Sequence, residues 1–291
     1  MDYIQRALSG DGMVRAAAAI TTDMAEKARE IHGLSKTVTA AMGRTLTLSA
    51  LMGCQLKGDS DSLTVMIDGG GPAGRITAVA NSEAEVKGYV TNPEAEAEPK
   101  NGKLNVGGVV GTDGFLTVIR DFGLKEPYVG KVRLVSGEIG DDAAAYFAQS
   151  EQVPSIVALG VLMNRDCTVK AAGGLIVQAM PGADNECIEK LEKFVAELPP
   201  VTTLISGGAT PEDMINAALS PFGSYTMQRF ETSYKCDCSK ERIERALISL
   251  GKDELSDIIK EQGKAEMTCR FCNKKYTVDK ERLTELLKSI S

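Results

Sequence analysis

The chain has 291 residues, 43% hydrophobic and 25% charged, which is enough for roughly two domains and a sizeable core. Seven cysteines stand against one histidine, so any mechanism needing two imidazoles, and any metal site built on more than one histidine, is excluded within one chain. The formal net charge of −7 argues against broad nucleic-acid affinity, and the longest apolar or glycine stretch, residues 156–163, is far short of the roughly 20 needed to cross a bilayer.

Residues 1–12 carry Asp2, Arg6 and Asp11 and have no apolar h-region, so no signal peptide is read and a cytosolic location is expected. In a reducing cytosol an odd number of cysteines reads as metal ligands, redox groups or buried small residues. Residues 3–8 and 13–20 are strand-like and joined across Ser9, Gly10, Asp11 and Gly12, which predicts a hairpin. A helix follows over 21–32, with Thr22 and Asp23 as N-cap oxygens and Gly33 as the C′ residue. His32 then falls at a helix end, a role that suits it better than catalysis. Over 35–56, Val38, Ala41, Met42, Leu46, Ala50, Leu51 and Cys54 form an amphipathic stripe, and Cys54 is read as core packing.

From 62 to 180 the pattern turns to short β-rich runs at 63–67, 75–80, 85–90, 115–120 and 129–135, then a helix over 141–152 and two more apolar runs at 156–163 and 168–180. Residues 69–74 contain GxGxxG, but the following 75–79 is strand-like and offers no helix N-terminus for a phosphate, so a glycine-rich turn is expected. The fold class is α+β: a core domain over 1–180 in which an antiparallel sheet carries packed helices.

Residues 181–230 read as a helical linker. Ile188, Leu191, Val195 and Leu198 form a narrow apolar seam on a Glu- and Lys-rich helix that Pro199 and Pro200 end, and Thr210-Pro211 starts a second short helix. Helices below about 12 to 15 residues are marginal without tertiary support, so this segment depends on its neighbours for order.

Residues 231–291 form a small C-terminal domain holding two close cysteine pairs, Cys236 with Cys238 and Cys269 with Cys272. The second lies between strand-like segments at 265–268 and 276–278, as in a zinc-knuckle hairpin, with helices expected over 239–250 and 252–261. So small a region buries little apolar area, and one structural Zn²⁺ on four thiolates supplies what is missing. Tetrahedral zinc holds sulfurs roughly 3.8 Å apart, whereas a disulfide needs about 2.05 Å, so oxidation of either pair would expel the metal. Lys235, Lys240, Arg270, Lys274 and Lys275 neighbour the thiols in sequence and favour thiolate. Cys167 and Cys187 lack close partners and sit in polar stretches, where they read as incidental thiols.

The run from Tyr234 through Cys236, Asp237, Cys238 and Ser239 to Arg242, then Cys269-Arg270-Phe271-Cys272 and Tyr276, resembles the zinc module of the bacterial redox-regulated heat-shock chaperones of about 33 kDa. Ala41-Met42-Gly43-Arg44, Gly69-Gly70-Gly71-Pro72, Ser150-Glu151-Gln152-Val153-Pro154-Ser155 and Ala171-Ala172-Gly173-Gly174 resemble that family's core blocks, in its order. The resemblance implies an ATP-independent holdase with no catalytic residues, cytoplasmic, and inactive while reduced and zinc-bound. It further implies that oxidation joins Cys236 to Cys238 and Cys269 to Cys272, releases zinc, unfolds the linker and yields active dimers that bind unfolding client proteins. The seam at Ile188, Leu191, Val195 and Leu198 is then a candidate client surface. Two other readings compete, a zinc-ribbon nucleic-acid binder and a thiol oxidoreductase. Residues 231–291 carry 13 Lys or Arg against 12 Asp or Glu, and a zinc centre on four thiolates brings the balance to −1, a poor footprint for phosphate.

Overall fold

The computed structural model describes residues 1–223 and 225–290, the side chains of 195 and 196 excepted. The chain divides into two compact units, Met1–Lys235 and Cys236–Ser291. In the first, β1 (Tyr3–Ser9) and β2 (Val14–Ile20) form the expected hairpin, followed by α1 (Thr22–His32) and α2 (Lys36–Gly53). A meander comes next, β3 (Ser62–Asp68), β4 (Ile76–Asn81), β5 (Glu85–Val90), a short α3 (Val106–Val110), β6 (Phe115–Asp121) and β7 (Tyr128–Arg133). Then follow α4 (Gly140–Tyr146), the hairpin β8 (Ser155–Met163) and β9 (Val169–Ala179), helices α5 (Asn185–Glu197), α6 (Val201–Ser206) and α7 (Pro211–Leu219), and strands β10 (Tyr225–Glu231) and β11 (Ser233–Tyr234). The α+β class is borne out, with two sheets where one was expected. Their orders are β10-β1-β2-β9-β8 and β11-β5-β4-β3-β6-β7, antiparallel throughout except for β11 on β5. Residues 69–74 join the antiparallel pair β3 and β4, so the glycine run is the expected turn.

Helix α2 is packed against strands of both sheets and is buried at every position but Lys36 and Arg44. A helix apolar on all sides belongs inside a core, and most of its hydroxyls are satisfied within the helix. Thr45, Thr47 and Ser49 each donate to the carbonyl four residues back, at 2.9, 2.8 and 2.8 Å. At Gly43 a Cβ would stand 2.8 Å from Val161 Cγ2, so only glycine permits this approach of α2 to β8. Cys54 closes α2 and is 1% exposed, which is the packing role expected of it.

Four of the seven residues of β2, Ala16 to Ala19, are alanine, which suits a strand covered on both faces. Ala17 and Ala19 join the cluster around α2, whereas Val14, Ala16 and Ala18 join a second cluster with Leu175 and Val177 of β9. That second face is covered by the 181–219 helices, through Cys187, Leu191, Val201, Met214, Ile215, Ala218 and Leu219. The apolar face of α5 that packs is thus Cys187, Leu191, Phe194 and Leu198. Ile188 is half-buried outside that cluster, and the side chain of Val195 lies outside the described residues. Cys187 is 7% exposed, so its reading as an incidental polar thiol is corrected. Its acidic sequence neighbours occupy the outer face of the helix, and burial raises its pKa.

The start of α1 also differs from expectation. Its N-cap residue, Thr21, makes no side-chain cap bond, and neither Thr22 nor Asp23 supplies one. Instead the carboxylate of Asp2, 5% exposed, accepts the backbone N–H groups of Asp23 and Met24 at 3.1 and 2.7 Å. Burial raises the Asp2 pKa to about 6 from 3.8, against the pull of those two donors. A carboxyl whose folded pKa exceeds its unfolded value contributes stability at low pH that is lost as pH rises through the folded pKa. Asp2→Asn removes this titration, so urea melts of the first unit should show the variant gaining about 2 to 3 kcal/mol relative to the parent between pH 4 and pH 7.

Candidate metal centre

The second unit is assembled from α8 (Lys240–Ile248), α9 (Lys252–Glu261), the hairpin β12 (Lys264–Thr268) and β13 (Lys275–Asp279), and α10 (Lys280–Ser289). Its apolar cluster is small, with Leu247, Leu255, Ala265, Val278, Leu283 and Leu286 buried. Glu244, 8% exposed, joins α8 to α10 by accepting two bonds from the Arg282 guanidinium, at 2.9 and 2.7 Å.

Cys269 and Cys272 sit at the turn of the β12–β13 hairpin. There Cys269 N–H bonds to the Lys274 carbonyl at 2.9 Å, and Asn273 N–H bonds to the Cys269 carbonyl at 2.8 Å with Asn273 at φ 56°. Asn tolerates this left-handed conformation, which turns the chain tightly enough for both thiols to face one point. Cys236 and Cys238 lie on the extended segment before α8, whose N-cap Ser239 accepts from Arg242 N–H at 3.3 Å. One intervening residue on an extended chain brings both side chains to the same side.

All four Sγ atoms lie within 4.8 Å of one another. Cys236 Sγ is 3.7 Å from Cys269 Sγ, and Cys238 Sγ is 3.3 Å from Cys272 Sγ. These separations approach the roughly 3.8 Å edge of a tetrahedral thiolate site, so the donor set and its spacing can hold a metal ion. All four thiols are half-buried and free. At Cys238 the cost of burial is outweighed by hydrogen bonds from Tyr276 and the other thiols, which bring it down to about 7. Burial chiefly raises Cys236 and Cys272.

Sequence alone gives Tyr276 no role beyond its place in the run that carries the family resemblance, yet its hydroxyl lies 3.0 Å from Cys238 Sγ and 3.1 Å from the Cys238 carbonyl. A donor to a ligating thiolate fixes its direction and tunes its charge. Tyr276→Phe should therefore weaken metal binding about tenfold or more, measured by competition with a chromophoric chelator at pH 7. Of the basic residues near the thiols in sequence, Lys235 is paired with Glu85 within its own unit, Arg242 is paired with Asp237, and Lys274 lies 5.2 Å from the Tyr276 ring centroid.

Outside the centre, Cys54 is held at a pKa of about 11 by burial, so it is an inert thiol, and Cys167 is exposed on a turn at φ 70°. His32 ends α1 as expected, ahead of Gly33 in the left-handed conformation, and its Nε2 lies 3.1 Å from the Tyr234 hydroxyl. Among the described residues no helix is long and apolar enough to cross a membrane.

An α+β unit of two sheets around a buried helix, followed by a small module organised around four clustered thiols, defines a class of protein with a thiol-rich C-terminal appendage. The particular family follows from comparison with known proteins. The family model described as "Hsp33 protein" matches residues 2–279, and the chain belongs to that family of chaperones. The chain is 51% identical over 290 residues to the 33 kDa chaperonin of Clostridioides difficile, covering 99% of each. It is 48% identical over 287 residues to that of Bacillus subtilis, covering 98% of each. The crystal structure of the 33 kDa chaperonin from Thermotoga maritima matches with a TM-score of 0.87 and 41% identity, over 98% of this chain and 97% of that one.

Proposed function

We propose that this chain is a redox-regulated, ATP-independent holdase that captures unfolding proteins. The observation that carries the reading is the convergence of Cys236, Cys238, Cys269 and Cys272 within 4.8 Å, a donor set made entirely of oxidisable groups. We assign these four thiolates as ligands of one Zn²⁺ in the reduced protein, which supplies a structural cross-link to a module with a thin core. No catalytic residue is assigned.

An oxidant of the hydroperoxide class acts on the thiolates. One thiolate takes an oxygen from the peroxide, leaving hydroxide, and the resulting sulfenic acid loses that oxygen as a second hydroxide when its neighbour attacks. Two such events, Cys236 with Cys238 and Cys269 with Cys272, pass four electrons to two peroxide molecules and consume all four donors. The centre can then no longer hold its metal, and the module loses order. Cys236 directly follows Lys235, the end of the segment that pairs with β5 through Ser233 and Tyr234. We take residues 181–230 as the metastable linker that opens next, between a core of 1–180 and the domain of 231–291. Its release uncovers Ala7, Val14, Ala16, Ala18, Leu175 and Val177 on the second face of the five-stranded sheet, together with the apolar side chains of α5. Unfolded clients bind there, in the cytoplasm, and the opened chain forms homodimers.

The test is peroxide treatment with mild heating of the reduced protein. One zinc should be released and four thiols consumed, new protease cleavage should appear across 181–291, and suppression of a thermally unfolding client's aggregation should rise at least tenfold. Equal suppression before and after oxidation sinks the reading.

A further inference from the structure

Strand β10 is the outermost strand of the five-stranded sheet and occupies the edge of β1 along its whole length, with seven register pairs from Tyr3↔Glu231 to Ser9↔Tyr225. Its grip is shallow. None of its seven residues is fully buried, whereas β1 buries Ile4, Gln5, Ala7 and Ser9. Shortly before it, Gly223 stands at φ 79°, the left-handed region that favours glycine. Beyond it the chain reaches Cys236 within a few residues. Departure of β10 would uncover no fully buried side chain of its own, only the part-buried Tyr225, Met227 and Phe230, and would leave a row of unpaired N–H and C=O groups on β1, which is a template for another extended chain.

The edge carries recognisable side-chain preferences. On the face toward the helical cover, Tyr225 and Met227 pack against the second apolar cluster. On the other face, Phe230 packs against the main core, and the Arg6 guanidinium lies 5.0 Å from its ring centroid. Arg6 also donates to Gln228 Oε1 at 2.6 Å, directly across the ladder. The seat thus suits an extended stretch with two apolar side chains alternating on one face and an aromatic one, three positions on, on the other.

We propose that β10 is an internal placeholder, and that an extended, apolar or aromatic segment of an unfolding client adds to the vacated edge of β1 in its place. This deepens the holdase reading and rests on it for the release of β10 by oxidation. Backbone pairing explains how one surface accepts unrelated sequences, since the ladder reads main chain and the alternating pockets ask only for apolar character. Unfolding proteins expose such β-prone segments.

The first arm of the test uses the full-length, reduced, metal-loaded chain carrying Gln228→Pro or Arg229→Pro. Thr232 N–H bonds the Asp2 carbonyl, and alternate N–H groups of an antiparallel pair face the partner, so the Gln228 N–H faces Arg6 and Gln228→Pro is the variant that removes a rung to β1, with Arg229→Pro as the control. The Gln228→Pro variant should keep its metal and suppress client aggregation at least fivefold better than the reduced parent. With client bound, alternate amides among residues 3–9 should exchange at least tenfold more slowly than in the variant alone. Client held with no change at those amides overturns the proposal. The second arm uses the unsubstituted oxidised chain with client bound, challenged with a synthetic peptide of residues 225–231. The peptide should displace client at least fivefold better than the same peptide carrying Gln228→Pro, and equal displacement by the two overturns the proposal. Zinc release without capture in the oxidised chain would count against the redox reading, while the first arm, which uses no oxidant, still decides the strand-addition proposal.

Discussion

Removing the metal from the reduced protein with a strong chelator is expected to unfold residues 236–291 while the sheets of the first unit stay intact. The module's buried apolar set is Leu247, Leu255, Ala265, Val278, Leu283 and Leu286, a thin core for three helices and a hairpin. Among the described residues β12 and β13 pair with no other strand, and an isolated two-stranded hairpin is marginal in water. Against this, a structural zinc contributes an apparent folding free energy of about 10 kcal/mol or more near neutral pH. The thiols that it would draw together come from two separate segments, the stretch before α8 and the β12–β13 turn, so its loss also frees the loop between them. In two-dimensional amide spectra, resonances from 236–290 should collapse to the unfolded range, while those of β3, β4 and β6 keep their shifts. Returning zinc under reducing conditions should restore them. Cys272→Ser should reproduce the chelated state permanently, because a serine hydroxyl does not ionise near neutral pH to replace a thiolate ligand. A module that keeps its dispersed spectrum without metal would show that the centre is not what folds it, and oxidation would then lose its route to the rest of the chain.

The parts of this molecule written in local sequence were legible. The two cysteine pairs converge because one flanks a hairpin turn and the other sits on an extended segment ahead of a capped helix, and both signals are short-range. The first hairpin, α1, α2 and the meander from β3 to β7 follow for the same reason. What escaped depends on partners far along the chain. Strand β10 lies on β1, whose residues are more than 200 positions away, and its alternation is blurred by Arg229, which shares a face with Met227 but lies over the Tyr3 ring at 3.8 Å. The cap of α1 comes from Asp2 across the β1–β2 hairpin, and no reading of residues near 21 finds it. Of the linker seam, Leu191 and Leu198 pack while Ile188 lies outside the cluster and the side chain of Val195 is outside the described residues, because steps of three and four fit two adjacent stripes on α5. The stripe that packs runs through Cys187, Leu191, Phe194 and Leu198, and the bulk of Phe194 and the burial of Cys187 outweigh Ile188. Tyr276 could have been found by its position two residues into the strand after the second cysteine pair, where a ring can reach back to the thiols.

Opening the linker without touching the thiols should activate the reduced protein, and Leu191→Asp is the substitution expected to do it. Leu191 is 5% exposed and joins α5 to the cluster that covers the second face of the sheet. Replacing a buried leucine by alanine costs about 2 to 5 kcal/mol, and a buried, unpaired carboxylate adds a further desolvation penalty. Helix α5 has only 13 residues and an outer face rich in Glu and Lys, so it has little stability of its own to absorb that loss. Cys187, one turn before Leu191 on the same face and buried at 7% exposure, reports the opening directly. In the reduced, zinc-loaded variant its alkylation, followed by mass spectrometry of the Cys187 peptide, should accelerate at least tenfold over the parent. Suppression of client aggregation should approach that of the oxidised parent, with zinc still bound. Glu192→Ala, one residue on and exposed, should change neither quantity. If Cys187 becomes reactive and no client is held, the surface under α5 to α7 is not where clients bind. If Cys187 stays protected while clients are held, activation does not pass through the opening of α5. The combination of an open linker, an intact metal centre and full capture is the outcome that places the thiols upstream as the trigger and the covered face of the sheet downstream as the working surface.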